Sequence, residues 1–149
     1  MTPYFTFERE EDANVPVKQH PTDACADVYA YCPNGTVVIE PGERKLIRTG
    51  WKVDLSHPQV LYEMQIRPRS GLALKHGITV LNSPGTIDAG YKDEVQVILY
   101  NTGKENFYVQ HLSRIAQCCI QPVFNWKLGF GNVSKNKENR GGGFGSTGL

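Results

Sequence analysis

Glu94-Val95-Gln96-Val97-Ile98-Leu99-Tyr100-Asn101 alternates in a way that only a strand uses well. Successive strand side chains point to opposite faces, so Val95, Val97 and Leu99 share one face while Gln96, Ile98 and Tyr100 share the other. Both faces are partly apolar. That suits a strand sandwiched between layers, one covered by a second subunit, or one inside a monomer core. Outward from it, runs rich in Val, Ile, Leu and Tyr predict strands over 26–30, 36–40, 45–53, 59–67, 78–81, 106–110 and 114–124. Pro33-Asn34-Gly35, Pro41-Gly42, Pro84-Gly85 and Asn101-Thr102-Gly103 supply turns between them. One short helix fits Ser70-Gly71-Leu72-Ala73-Leu74-Lys75-His76, with Ser70 read as its cap and Gly77 as its terminator. No second long helical pattern occurs, which disfavours α/β folds. Many short strands with turn signals predict an all-β sandwich, jelly roll or barrel.

The chain has 149 residues, 40% hydrophobic and 21% charged, with a net charge of +1. This predicts one globular domain with a real core. A strong basic excess, the usual mark of non-specific nucleic-acid or membrane binding, is missing. The cysteines Cys25, Cys32, Cys118 and Cys119 form no CxxC, and the four histidines are scattered. Reduced thiols in a cytoplasmic protein are the expectation, the host cytoplasm if a virus encodes it. Neither a signal peptide nor an apolar run long enough for a membrane span is present.

Several stretches carry chemistry beyond their structural uses. Arg67-Pro68-Arg69-Ser70-Gly71-Leu72-Ala73 sits where a strand meets the helix. Guanidinium forks match phosphate oxygens, and a helix start presents N–H donors. In Asn82-Ser83-Pro84-Gly85-Thr86-Ile87-Asp88-Ala89-Gly90-Tyr91, Asn82 offers an amide suited to a pyrimidine edge. Asp88, held before a glycine turn, suits the activation of a water, and Tyr91 is a flat wall. Each also has a plain reading: Asp88 and Gly90 serve the turn and Tyr91 packs the core. Asp27 is an acid in a strand-like run, read either as a solvent-facing position or as a support for Mg²⁺. Gln117 is read either as outward-facing or as a phosphate ligand. The tail turns wholly polar from Ser134 to Arg140 and ends Gly141-Gly142-Gly143-Phe144-Gly145-Ser146-Thr147-Gly148-Leu149. We read 127–149 as a flexible arm beside a barrel domain spanning 1–126. Its N–H groups suit phosphate, and Phe144 suits stacking on a base.

Five segments in order resemble the five motifs of the trimeric dUTP diphosphatase (dUTPase) family. They are Ala24-Cys25-Ala26-Asp27-Val28-Tyr29-Ala30, Arg67 through Ala73, Asn82 through Glu94, Arg114-Ile115-Ala116-Gln117 and Arg140 through Gly148. The resemblance implies a jelly-roll-like β-barrel of the β-clip type that forms a homotrimer, with active sites at subunit interfaces. It implies hydrolysis of dUTP to dUMP and pyrophosphate with Mg²⁺, which keeps uracil out of DNA and supplies dUMP for thymidylate. On this chain the catalytic residues would be Asp88, activating water, and Gln117. Arg69, Ser70, Gly71 and Gln117 would hold phosphates. Asn82, Gly85, Thr86 and Ile87 would surround uracil and sugar, Tyr91 would pack on the deoxyribose, and Asp27 would reach Mg²⁺ through water. Phe144 would stack on uracil, with Arg140, Gly145, Ser146 and Thr147 closing over the outer phosphates.

The chain departs from the family pattern in places. Cys25 stands where Gly is common, and Tyr91-Lys92-Asp93-Glu94 where Tyr-Arg-Gly-Glu is common. Leu112-Ser113 replaces Gly-Asp, and Arg140 lies one residue closer to Phe144 than usual. The related dCTP deaminases carry a second Ser where this chain has Gly71. A further alternative is a nucleotide-gated interaction protein with an unidentified regulatory partner.

Overall fold

The computed structural model describes residues 2–131. The strands, in chain order, are β1 (Thr6–Arg9), β2 (Ala26–Tyr29), β3 (Val37–Ile39), β4 (Arg44–Arg48), β5 (Trp51–Asp54) and β6 (Leu61–Arg67). After the helix α1 (Ser70–His76) come β7 (Ile78–Val80), β8 (Gly85–Asp88), β9 (Gln96–Asn101), β10 (Phe107–Val109) and β11 (Arg114–Val123). All the strand pairs are antiparallel: β1 with β5, β10 with β3, β2-β11-β6-β8 in one sheet and β4-β9-β7 in another. Among the described residues this is the expected all-β, jelly-roll-like architecture with one short helix.

Two strands were not legible in the sequence. β1 lies near the chain start and β8 inside the long connection that follows Asn82. A third difference is a division: the run over 45–53 is not one strand. Gly50 adopts φ 74°, a conformation that L side chains resist. A Cβ there would sit 2.7 Å from Ala13 Cβ and from Tyr31 Cγ. The chain therefore turns at Thr49-Gly50, and β4 and β5 enter different sheets. Ser70 is not the helix cap. It is the first helical residue, Arg69 occupies the cap position, and no side chain caps the end. Gly77 does terminate the helix, at φ 66° in the left-handed region, its N–H donating back to the last turn.

In β9, Val97 and Leu99 are fully buried, as is Val95 just before it, while Ile98 and Tyr100 are only partly covered. They join Val28, Ile39, Ile47, Trp51, Met64, Ile66, Ile78 and Ile115 in one core. Each such aliphatic side chain contributes about 1.5–3 kcal/mol when removed from water. Trp51 packs edge-on against Phe7 with centroids 5.4 Å apart. Buried Asn101 donates from Nδ2 to the carbonyls of Ile39 and Glu105 (2.9 and 2.8 Å) and accepts from Gly103 N–H. A polar side chain so satisfied costs little to bury, and it ties β3 to the end of β9.

Candidate active site

The four-stranded sheet has an apolar inner face and a polar outer one, and its register decides which residues share the outer face. Met64 and Ile66 of β6 are buried, so Glu63, Gln65 and Arg67 point outward. Glu63 pairs with Asp88, Arg67 with Gln117, and Gln117 with Asp27. Asp27, Gln117, Arg67, Glu63 and Asp88 therefore line one surface.

At the β2 edge of that surface lies a cleft lined by Gln19, Asp23, Ala24, Cys25, Asp27, Arg69, Arg114 and Gln117. Arg69 Nε donates to Asp27 Oδ1 at 3.1 Å, and Arg114 Nη1 to Asp27 Oδ2 at 3.3 Å. Arg69 Nη1 also donates to the Arg114 carbonyl, and Gln117 Nε2 to the Pro68 carbonyl at 2.8 Å. The Asp27 side chain is 13% exposed and that of Arg114 47%. One carboxylate thus holds two guanidinium groups side by side at a surface, a fork spacing suited to the oxygens of an anion. Gly71, two residues after Arg69, has open space where a Cβ would stand.

Arg114 was missed as a separate site residue, because strict alternation puts it opposite Gln117. β11 shifts register against β2 between Arg114 and Ala116. Ile115 and Ala116 are both buried, at 1% and 0% exposure. Two successive inward residues mark a bulge, and the bulge returns Arg114 to the side of Gln117. Nothing in the sequence alone signals it.

Asp88 stands at the other edge of the sheet. It ends β8, and the Tyr91 N–H donates to its carbonyl at 3.0 Å, closing a tight turn over Ala89-Gly90. The turn fixes the exposed carboxylate at the end of a paired strand. Tyr91 does not pack the core: it is 40% exposed, its hydroxyl anchored to the Glu94 carbonyl at 2.8 Å. Asn82 is exposed before the bend, its amide next to buried Gly85, where an added Cβ would lie 3.4 Å from Nδ2. Thr86 is exposed and Ile87 partly covered.

The structure thus gathers Asp27, Arg69 and Gln117, with Ser70 and Gly71 following on, and separately gathers Asn82, Gly85, Thr86, Ile87, Asp88 and Tyr91. It does not bring the two groups together within one chain. Four residues along β6 and two strand spacings separate Asp88 from Gln117, about 16 Å at ~3.3 Å per residue and ~4.8 Å per strand. Arg140, Phe144, Gly145, Ser146 and Thr147 lie outside the described residues.

A family model described as dUTPase matches residues 11–148. The deoxyuridine 5'-triphosphate nucleotidohydrolase of Clostridioides difficile is 46% identical over 139 residues, covering 93% of this chain and 93% of that relative. That of Roseobacter denitrificans is 46% identical, covering 92% of this chain and 90% of the relative. Among solved structures, a Staphylococcus bacteriophage 80alpha dUTPase with dUPNHPP superposes with a TM-score of 0.80 at 27% identity. It covers 99% of this chain and 100% of that one.

Proposed function

The chain belongs to the dUTPase family, and from that premise we propose that it hydrolyses dUTP to dUMP and pyrophosphate at a site built from the two groups above. The observation that carries the reading is the Arg69–Asp27–Arg114 cluster beside Gln117, a charged seat for a polyphosphate on the same sheet face as a held carboxylate.

In this reading Arg69, Ser70, Gly71 and Gln117 hold phosphate oxygens, joined by Arg114. Asp88 orients a water and takes its proton as the water attacks the α-phosphorus, and the pyrophosphate leaves in line. Asn82 meets the uracil edge, with Gly85, Thr86 and Ile87 beside it. Tyr91 presents its ring to the deoxyribose and leaves no room for a 2′-hydroxyl. Arg140, Phe144, Gly145, Ser146 and Thr147, on the arm over 127–149, close the site against water.

Mg²⁺ fits only as an outer partner. Asp27 engages both carboxylate oxygens with arginines, and no cluster of three or more His, Cys, Asp or Glu among the described residues is arranged to hold a metal. Asp27 would hold such an ion through the ion's water shell. When bound, the ion neutralises phosphate charge.

The same separation supports assembly of more than one chain, because a partner's Asp88 edge would then meet the phosphate cleft, and the homotrimer is the assembly we adopt from the family. A second feature supports it. On the outer face of β4-β9-β7, Leu46 (60% exposed) pairs with Ile98, and Leu81 (45%) donates its N–H to the Ile98 carbonyl. Such an apolar strip suits cover by another subunit. No helix among the described residues is long and apolar enough to cross a membrane, and we place the enzyme in the cytoplasm.

The test is pyrophosphate release from dUTP, dCTP, dTTP and UTP, with and without Mg²⁺, with the nucleotide product identified. Selective Mg²⁺-dependent release from dUTP giving dUMP is expected. Ammonia release from dCTP, or no turnover of dUTP, overturns the reading. Removing residues after Arg140 is expected to leave a folded oligomer that hydrolyses poorly; unimpaired hydrolysis rules out the closing arm.

A further inference from the structure

Two cysteines face each other beside the phosphate cleft, and neither has a part in the proposed chemistry. The β2–β11 register runs Gln117 opposite Asp27 and Cys118 opposite Ala26. Cys119 and Cys25 are the next residues beyond that last pair, Cys25 in the bend that leads into β2. Cys25, Cys119 and Arg67 stand near enough to act on one another: burial and then Cys119 raise the Cys25 thiol above its ordinary range, and Arg67 opposes them. Opposed residues of an antiparallel pair have Cα atoms about 4.5 or 5.5 Å apart, and both values fall in the ~4.4–6.8 Å that a disulfide spans.

The other pairings are excluded by direction. Cys118 packs into the core and Cys119 does not belong to it, as alternation along β11 requires, so these neighbours point to opposite faces. Cys32 follows β2 at its far end, beside His111. Of the pair, Cys119 is 5% exposed, whereas Cys25 is half-buried and lines the cleft, so Cys25 is the thiol that an oxidant reaches first.

We propose that Cys25 and Cys119 form a reversible cross-strand disulfide under a two-electron oxidant such as hydrogen peroxide, and that this bond lowers turnover at the adjacent phosphate cleft. The Cys25 thiolate attacks one peroxide oxygen and the O–O bond breaks, giving the Cys25 sulfenic acid and hydroxide. The Cys119 sulfur then attacks Cys25 Sγ. The S–S bond forms, the S–O bond breaks, and the leaving hydroxide takes the Cys119 proton to become water. The two sulfurs lose two electrons in all and the peroxide gains them; a dithiol reductant reverses the bond by exchange.

The effect on the cleft rests on the function proposed above. Closing the bond draws Cys25 onto β11, away from Arg67, two residues before Asp27. A shift of about 1 Å in a positioning group costs up to about 10²-fold in rate, so a loss of about tenfold in kcat/KM is expected.

The experiment treats the full-length protein with hydrogen peroxide and maps its peptides by mass spectrometry without reduction, then measures dUTP hydrolysis before and after dithiothreitol. A Cys25–Cys119 linked peptide, with activity lost on oxidation and restored by dithiothreitol, is expected. Cys119→Ser is expected to keep its activity through the same treatment, and Cys25→Ser to yield no linked peptide. Linkage through Cys32 or Cys118, or no linkage at all, overturns the disulfide. A complete Cys25–Cys119 bond with unchanged kinetics overturns its control of the cleft. A reduced protein that never hydrolyses dUTP overturns the proposed function instead, and the peptide map still decides the disulfide.

Discussion

Arg69 Nε lies 3.1 Å from Asp27 Oδ1, a contact between residues 42 apart in sequence. Asp27 holds Arg114 with its other oxygen, so a single carboxylate sets the spacing of two guanidinium groups. Asp27→Ala is expected to leave two cations repelling each other, to raise KM for dUTP, and to cost about 1–2 kcal/mol of stability after allowance for solvent screening. Urea midpoints and steady-state kinetics check this. An unchanged KM removes Asp27 from the site.

Asp88 is held by a turn but is not buried, so its amide counterpart fits the same place. Asp88→Asn is expected to keep dUTP binding, measured by calorimetry, while kcat falls about 10²–10⁴-fold, the usual weight of a general base. Unaltered turnover sinks the assignment.

Tyr91 is anchored at its hydroxyl and free on its ring. Tyr91→Ala is expected to reduce the preference for dUTP over UTP by about tenfold or more. Tyr91→Phe, which keeps the ring and loses the anchor, is expected to retain most of it. Equal selectivity in all three proteins rules out the sugar-packing role.

Gly50→Ala tests the turn that separates β4 from β5. The added methyl meets Ala13 and Tyr31 at 2.7 Å, and the backbone is left-handed there. Strain and overpacking together predict a loss of about 2–4 kcal/mol, read from the denaturation midpoint. A loss within error shows that the loop over Ala13 yields freely.

Burial, chiefly, pushes the Cys118 thiol up to about 12. Its folded pKa lies above the unfolded value, so its share of stability is whole below about pH 9 and fades as pH rises towards 12. Cys118→Ala lacks that slope. The stability gap between wild type and variant is expected to narrow from about pH 8 to about pH 11; a constant gap contradicts the burial argument.

The core strand around Val97 and the helix stop at Gly77 were readable because each depends on local pattern: alternation in one case, a left-handed glycine in the other. Asp27, Asp88 and Gln117 each stood out only as one of two readings, a plain strand or turn position or a site residue, because what sets them on one face is the pairing of β2, β11, β6 and β8. Arg114 was not readable, because its direction depends on a bulge that appears only when β11 pairs with β2. The split at Gly50 was hidden for a similar reason, since the need for glycine there comes from Ala13 and Tyr31, distant in sequence. Ser70 misled because its type suits a cap, while the chain enters the helix one residue earlier.

The wide spacing of Asp88 and Gln117 on one sheet has a genetic corollary. If every working site draws its base from one chain and its phosphate seat from another, then two defective alleles can complement each other. A chain lacking Asp88 and a chain lacking Arg69, each inactive alone, would recover part of the activity when expressed together, because some mixed assemblies contain a junction with both residues intact.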